Sequence, residues 1–120
     1  MASQAVRPGV LETLQLAQTV GNGQAYAVPA NVRKHIFYVD FSAGVGAGAV
    51  SIETANDPEY TGTWAPLVND LATPTVNPVT FAVSSQKIYT YIGVLAAIRA
   101  RISTTVTGGT VTVTYKGEVS

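Results

Sequence analysis

The chain has no cysteine, and its 120 residues include one histidine, one tryptophan and one methionine. Without cysteine there is no disulfide, no thiolate metal ligand and no cysteine nucleophile, so burial and backbone pairing must hold the fold. Charge is scarce too: 12% of residues are charged, well below the usual share, and seven Lys and Arg are offset by seven Asp and Glu. That balance offers no footprint for a nucleic acid or an anionic membrane. No apolar run approaches the ~18 residues of a membrane span. The first residues, Met1 to Gly9, lack the charged start and apolar stretch of a secretory leader. These features predict a protein made and retained in a cytoplasm, or carried out of it in an assembled particle. No segment shows a helical period.

What fills the chain instead is 47% apolar residues with Thr, Ser, Gly and Asn between them. The length suits one domain, able to hide about two thirds of the surface its unfolded form exposes. Ile98, Ala100 and Ile102 alternate with Arg99, Arg101 and Ser103, and Val111, Val113 and Tyr115 alternate with Thr110, Thr112 and Thr114. Each run reads as a strand with one wet face, and Gly108-Gly109 between them predicts a tight turn closing an antiparallel hairpin. Thr13–Val20 and Gln24–Val28, separated by Gly21-Asn22-Gly23, suggest another hairpin, with Leu14 and Leu16 on one face of its first strand. Lys34–Phe41 is the strongest strand, with Phe37, Val39 and Phe41 facing inward. Val50–Thr54, Thr63–Leu67, Val79–Val83 and Ile88–Ile92 bring the total to about eight or nine short strands, and the fold class is all-β, an antiparallel sandwich over residues 10–120. Residues 1–9 have no periodicity and end in Arg7-Pro8-Gly9, so they read as an extended N-terminal arm.

The tempting constellations have simpler explanations. His35 has no Gly-x-Ser-x-Gly partner motif and reads as a strand-end surface histidine rather than a catalytic base. Glu53, Asp57, Glu59 and Asp70 lack calcium-loop spacing and read as solvated turn carboxylates. The alternating glycines of Ala43–Ala49 lack the features of a phosphate loop and read as a strand connection. Trp64 with Tyr60 offers a sugar-stacking platform, but a lone tryptophan in a small domain is better read as a core or rim anchor. Arg99 and Arg101 share a wet face without a sequence-adjacent aromatic, which favours pairing with a carboxylate over phosphate binding. No catalytic group, metal site or cofactor is expected, and hence no enzyme.

Three stretches together resemble a known pattern: Val50-Ser51-Ile52-Glu53-Thr54-Ala55-Asn56-Asp57, then Gly62-Thr63-Trp64-Ala65-Pro66-Leu67, then Ile98-Arg99-Ala100-Arg101-Ile102 with Gly108-Gly109-Thr110-Val111-Thr112-Val113. This is similar to small jelly-roll β-sandwich structural proteins of tailed bacteriophages, of the capsid decoration or cement type. The likeness covers residues 34–117 and departs at Ala55, where a small polar residue is commoner, and in a longer Asp57–Gly62 turn. The resemblance implies a jelly-roll sandwich in the virion, with the major capsid protein as partner and stabilisation of the mature head as function. Alternatives are a head-tail completion protein, or a carbohydrate-binding or adhesion module of a tail or fibre, with a glycan as ligand.

Two surfaces are candidates for contact. Ile36, Tyr38, Tyr89 and Tyr91 are expected on strand faces opposite the core, a patch that a homo-oligomer would cover, a trimer before a dimer because shells offer threefold positions. Val6, Arg7 and Pro8 of the arm are expected to lie along a partner.

Overall fold

The computed structural model describes residues 4–67, 79–80 and 86–119. Asp70 and most of the expected Val79–Val83 strand lie outside the described residues. Among the described residues the chain forms ten strands: β1 (Gln4–Ala5), β2 (Leu11–Gln18), β3 (Tyr26–Ala27), β4 (Val32–Phe41), β5 (Ala47–Ala55), β6 (Ala65–Pro66), β7 (Val79–Thr80), β8 (Gln86–Ile92), β9 (Ala97–Thr107) and β10 (Val111–Val119). A four-stranded front sheet runs β2-β10-β4-β8; a six-stranded back sheet runs β1-β3-β9-β5-β6, with β7 also on β5. All pairings are antiparallel except β1 with β3. The expected all-β sandwich is what forms.

The core is built from alternate residues of each sheet. Phe37, Val39 and Phe41 of β4 and Val111, Val113 and Tyr115 of β10 meet Val50 and Ile52 of β5 and Ile98, Ala100 and Ile102 of β9. The side chains expected inside at these positions are all buried. β-Branched and aromatic residues at every second place give each strand one face that fits a pleated, dry surface.

The hairpin expected at Gly108-Gly109 does not exist. β9 pairs with β3 and β5 in the back sheet, while β10 sits between β2 and β4 in the front sheet. The two apolar faces that a hairpin would have set side by side instead oppose each other across the core. Gly108 alone of the pair has a left-handed φ, +83°, which excludes a type I′ turn, and the sheet partners exclude any other hairpin turn. The glycines serve close packing: a Cβ on Gly108 would strike the Gly44 carbonyl, and one on Gly109 would come within 2.8 Å of Val45 Cγ2. Ser42 N donates to Thr110 O at 2.8 Å and Gly46 N donates to Thr107 O at 2.9 Å. Thus the 42–46 and 108–110 segments are adjacent corners, one leading from front to back and the other returning.

The first expected hairpin fails in the same way. β2 belongs to the front sheet and β3 to the back, and Gly21-Asn22-Gly23 carries the chain between them. Gln15 Nε2 donates to Ala100 O at 2.8 Å and Gly21 O at 3.1 Å, tying this corner to β9. Leu14 is buried as expected, but Leu16 is exposed because register shifts in the β2–β10 ladder put both Leu14 and Gln15 inside. An extra residue at a bulge inverts the alternation beyond it. The glycine-rich Ala43–Ala49 run is also more ordered than a connection, since β5 starts at Ala47 and Gly48 allows close approach of Val106.

Candidate functional site

The expected contact residues divide between surface and core. Cross-strand neighbours share a face, and β8 pairs with β4 so that Tyr89 lies opposite Phe37, Tyr91 opposite His35, Ile88 opposite Tyr38 and Thr90 opposite Ile36. Tyr89 and Tyr91 therefore point inward with Phe37 and His35, not outward with Ile36 and Tyr38. Tyr89 packs edge-on to Phe37 at 6.0 Å between centroids and donates its hydroxyl to Leu67 O at 2.6 Å. The outer face of the front sheet carries Ile36 and Tyr38, half-buried, with Leu11, Ile88 and Ile92 exposed, Ile88 at 53%. A shallow hollow lined by Leu11, Tyr38, Gln86, Thr114 and Lys116 opens on this face.

The N-terminal segment is partly tied to the chain's own sheets. Gln4–Ala5 form a short parallel ladder with Tyr26–Ala27, which the arm's lack of periodicity did not suggest. Val6 is 2% exposed within the core, and its N–H donates to Ala27 O at 2.8 Å. Arg7 and Pro8 are exposed; Arg7 Nε lies 3.4 Å from Glu12 Oε2. Of the three arm residues expected to meet a partner, these two face solvent and Val6 does not.

His35 is not a surface residue. It is fully buried, with Nε2 2.7 Å from the Gly93 carbonyl and Nδ1 2.7 Å from the Tyr115 hydroxyl. A carbonyl can only accept, so Nε2 carries the proton and the neutral ring's Nδ1 accepts from Tyr115. Burial lowers its pKa below the usual histidine range, with the Gly93 hydrogen bond opposing that shift. It is a polar core residue with both nitrogens satisfied, and the same burial raises the Tyr115 pKa.

The outer face of the back sheet holds the most polar constellation. Ser51 lies opposite Arg101 and Glu53 opposite Arg99 in the β5–β9 ladder. The Glu53 side chain is 4% exposed, and its two oxygens accept from Arg99 Nε and Arg101 Nε, each at 2.9 Å. A carboxylate so enclosed needs such charge-assisted bonds to offset its lost hydration. The Arg99 guanidinium lies 4.5 Å from the Trp64 ring centroid, and Trp64 Nε1 donates to Tyr60 O at 3.0 Å. Pairing of the arginines with a carboxylate was legible in the sequence; the stacking of Arg99 on an aromatic from the distant 60–64 loop was not. Glu53, expected to be solvated, is enclosed instead. Its place in Val50-Ser51-Ile52-Glu53, out of phase with the core residues and opposite a basic strand face, is the signal that would have found it.

Trp64 is 3% exposed beneath Arg99, which leaves no bare ring for a sugar to stack on. Of the other acidic residues, Asp57 Oδ1 accepts from the Glu59 N–H at 2.8 Å in a local turn. Among the described residues no cluster of acidic, histidine or cysteine side chains could hold a metal ion. Comparisons with known protein families, curated proteins and solved structures find no match, so a role must be argued from the chain's own residues and geometry.

Proposed function

We propose that this chain is a non-enzymatic structural protein of a tailed-bacteriophage virion, a capsid decoration or cement protein that binds across coat subunits and stabilises the mature head. The observation that carries this is the outer face of the front sheet, where Leu11, Ile36, Tyr38, Ile88 and Ile92 present apolar groups among threonines and the balanced charges of Lys34, Asp40, Lys116 and Glu118. Patches of this kind mark contact sites. The resemblance of residues 34–117 to phage decoration proteins supports the reading. So does the strand order, in which every link from β2 to β5 and from β7 to β10 changes sheet, as in a jelly roll.

The mechanism is linkage: a rigid sandwich that binds only the mature arrangement of the shell stabilises that arrangement by its binding free energy. The same outer face supports self-association, with a trimer suited to threefold positions. Glycan binding has less support, because Arg99 covers the ring that would serve as platform. The test is immunogold labelling of purified virions with an antibody raised against the chain. Label distributed over heads is expected; label confined to tails or fibres, or none, would count against the head role.

A further inference from the structure

Beside the Glu53 ion pair is an open pocket of about 430 Å³, bounded by Ser51, Glu53, Thr63, Trp64, Arg99 and Arg101. We propose that it binds a carboxylate, the side chain of an Asp or Glu presented by a protein partner. Two guanidinium groups and one carboxylate leave the site with one net positive charge. Each arginine donates to Glu53 through Nε, and the terminal amino groups of both have no acceptor among the described residues. Such planar, fixed donors match a carboxylate. The position of Arg99 is set in advance by Trp64 on one side and Glu53 on the other, so little side-chain freedom is lost when a ligand arrives.

The charge count discriminates between anions. A singly charged carboxylate neutralises the site, whereas a phosphate dianion leaves net negative charge beside the enclosed Glu53. The covered Trp64 ring discriminates again, because an acidic sugar finds no stacking surface there. A carboxylate on a peptide needs none. Ser51 and Thr63 place hydroxyls on the pocket wall for its second set of lone pairs. The choice of a protein as the source rests on the interaction role proposed above; the carboxylate chemistry does not.

Trp64 is the only tryptophan, so its fluorescence reports on this pocket alone. The purified chain is titrated at fixed ionic strength with N-acetylglutamate N-methylamide, its glutamine counterpart, glucuronate and inorganic phosphate, and the Trp64 indole N–H and arginine Nε–H signals are followed by NMR in parallel. The glutamate compound should give a saturable response in the millimolar range, at least about tenfold tighter than the glutamine compound. Arg101→Lys keeps the charge and the Glu53 partner but loses the fork; it should weaken the response about fivefold or more with the circular dichroism unchanged. The proposal is overturned if neither signal saturates, if glutamate and glutamine compounds bind alike, if glucuronate or phosphate binds as tightly, or if Arg101→Lys has no effect. A chain missing from virions that still titrates retains the pocket and loses the virion role; a virion component that ignores the probe does the reverse.

Discussion

His35 Nδ1 accepts a 2.7 Å hydrogen bond from the Tyr115 hydroxyl, and neither side chain reaches solvent. Because burial holds the histidine pKa below its unfolded value of about 6.5, the unfolded chain takes up a proton that the folded chain refuses. Stability should therefore be flat above that pH and fall as pH drops through it toward the folded pKa. Thermal melts at pH 7.5 and about 5.5, above the range where carboxylates titrate, should show a lower Tm at the acid end, and His35→Gln should flatten the difference. An equal Tm at both values for the native chain would contradict the buried neutral ring. Tyr115→Phe leaves Nδ1 without its donor and should cost about 1 to 3 kcal/mol at pH 7.5 in denaturant melts.

Glu53→Gln keeps the shape of the carboxylate and removes its charge from between two guanidinium groups. The expected loss is about 3 kcal/mol, the low end for broken buried pairs because the Arg101 side chain is 40% exposed. Denaturant unfolding checks this, and Trp64 emission should shift as Arg99 loses the anchor that holds it over the ring. Loss of less than about half a kcal/mol would mean that the pair behaves as a surface bridge.

The strand partners can be tested by introducing cysteines, since the chain has none of its own. Asp40 and Thr112 are directly opposed in the β4–β10 ladder, within reach of a disulfide. The Asp40→Cys, Thr112→Cys double variant should oxidise to a monomeric cross-linked form that runs faster on a non-reducing gel. Thr105→Cys with Thr112→Cys, opposed only in a Gly108-Gly109 hairpin, should stay reduced within the monomer. The reverse result would restore the hairpin.

Removing Met1 to Pro8 would be harmless if the segment were a free arm. With Val6 in the core and Gln4–Ala5 paired to β3, the deletion should lower Tm by several degrees, and Val6→Ala alone should cost about 2 kcal/mol. Calorimetry on both variants checks it; an unchanged Tm would detach the segment from the fold.

The strand faces were legible because periodicity is local: Phe37, Val39, Ile98 and Val113 alternate with polar neighbours, and burial of one face follows. The sheet partners were not, because a Gly-Gly or Gly-Asn-Gly break permits either a turn within one sheet or a crossing between two. What decides is the close approach of Gly44 to Gly108 and of Gly23 to Ala100 O, contacts between segments far apart in sequence. Tyr89 illustrates a related limit. Its strand alternates Ile88, Tyr89, Thr90, Tyr91 and Ile92, with apolar or amphipathic groups on both faces, and only the pairing with Phe37 decides which face is inside. At the candidate site, Arg99 and Arg101 carried a visible signal as cations sharing a face, whereas the Trp64 contact depends on how the 60–64 loop folds back over β9.

The central claim, that the outer face of the front sheet docks this protein onto a viral shell, is tested most directly by co-sedimentation with mature heads of the same virus that lack the chain. The native protein should bind saturably at a fixed ratio to coat subunits. Leu11→Glu with Ile88→Glu, both exposed and outside the core, should keep the native Tm and lose at least about thirtyfold in affinity. Binding by the native chain that is indifferent to the double substitution would move the contact to another surface, and no binding by the native chain would contradict the shell-docking account.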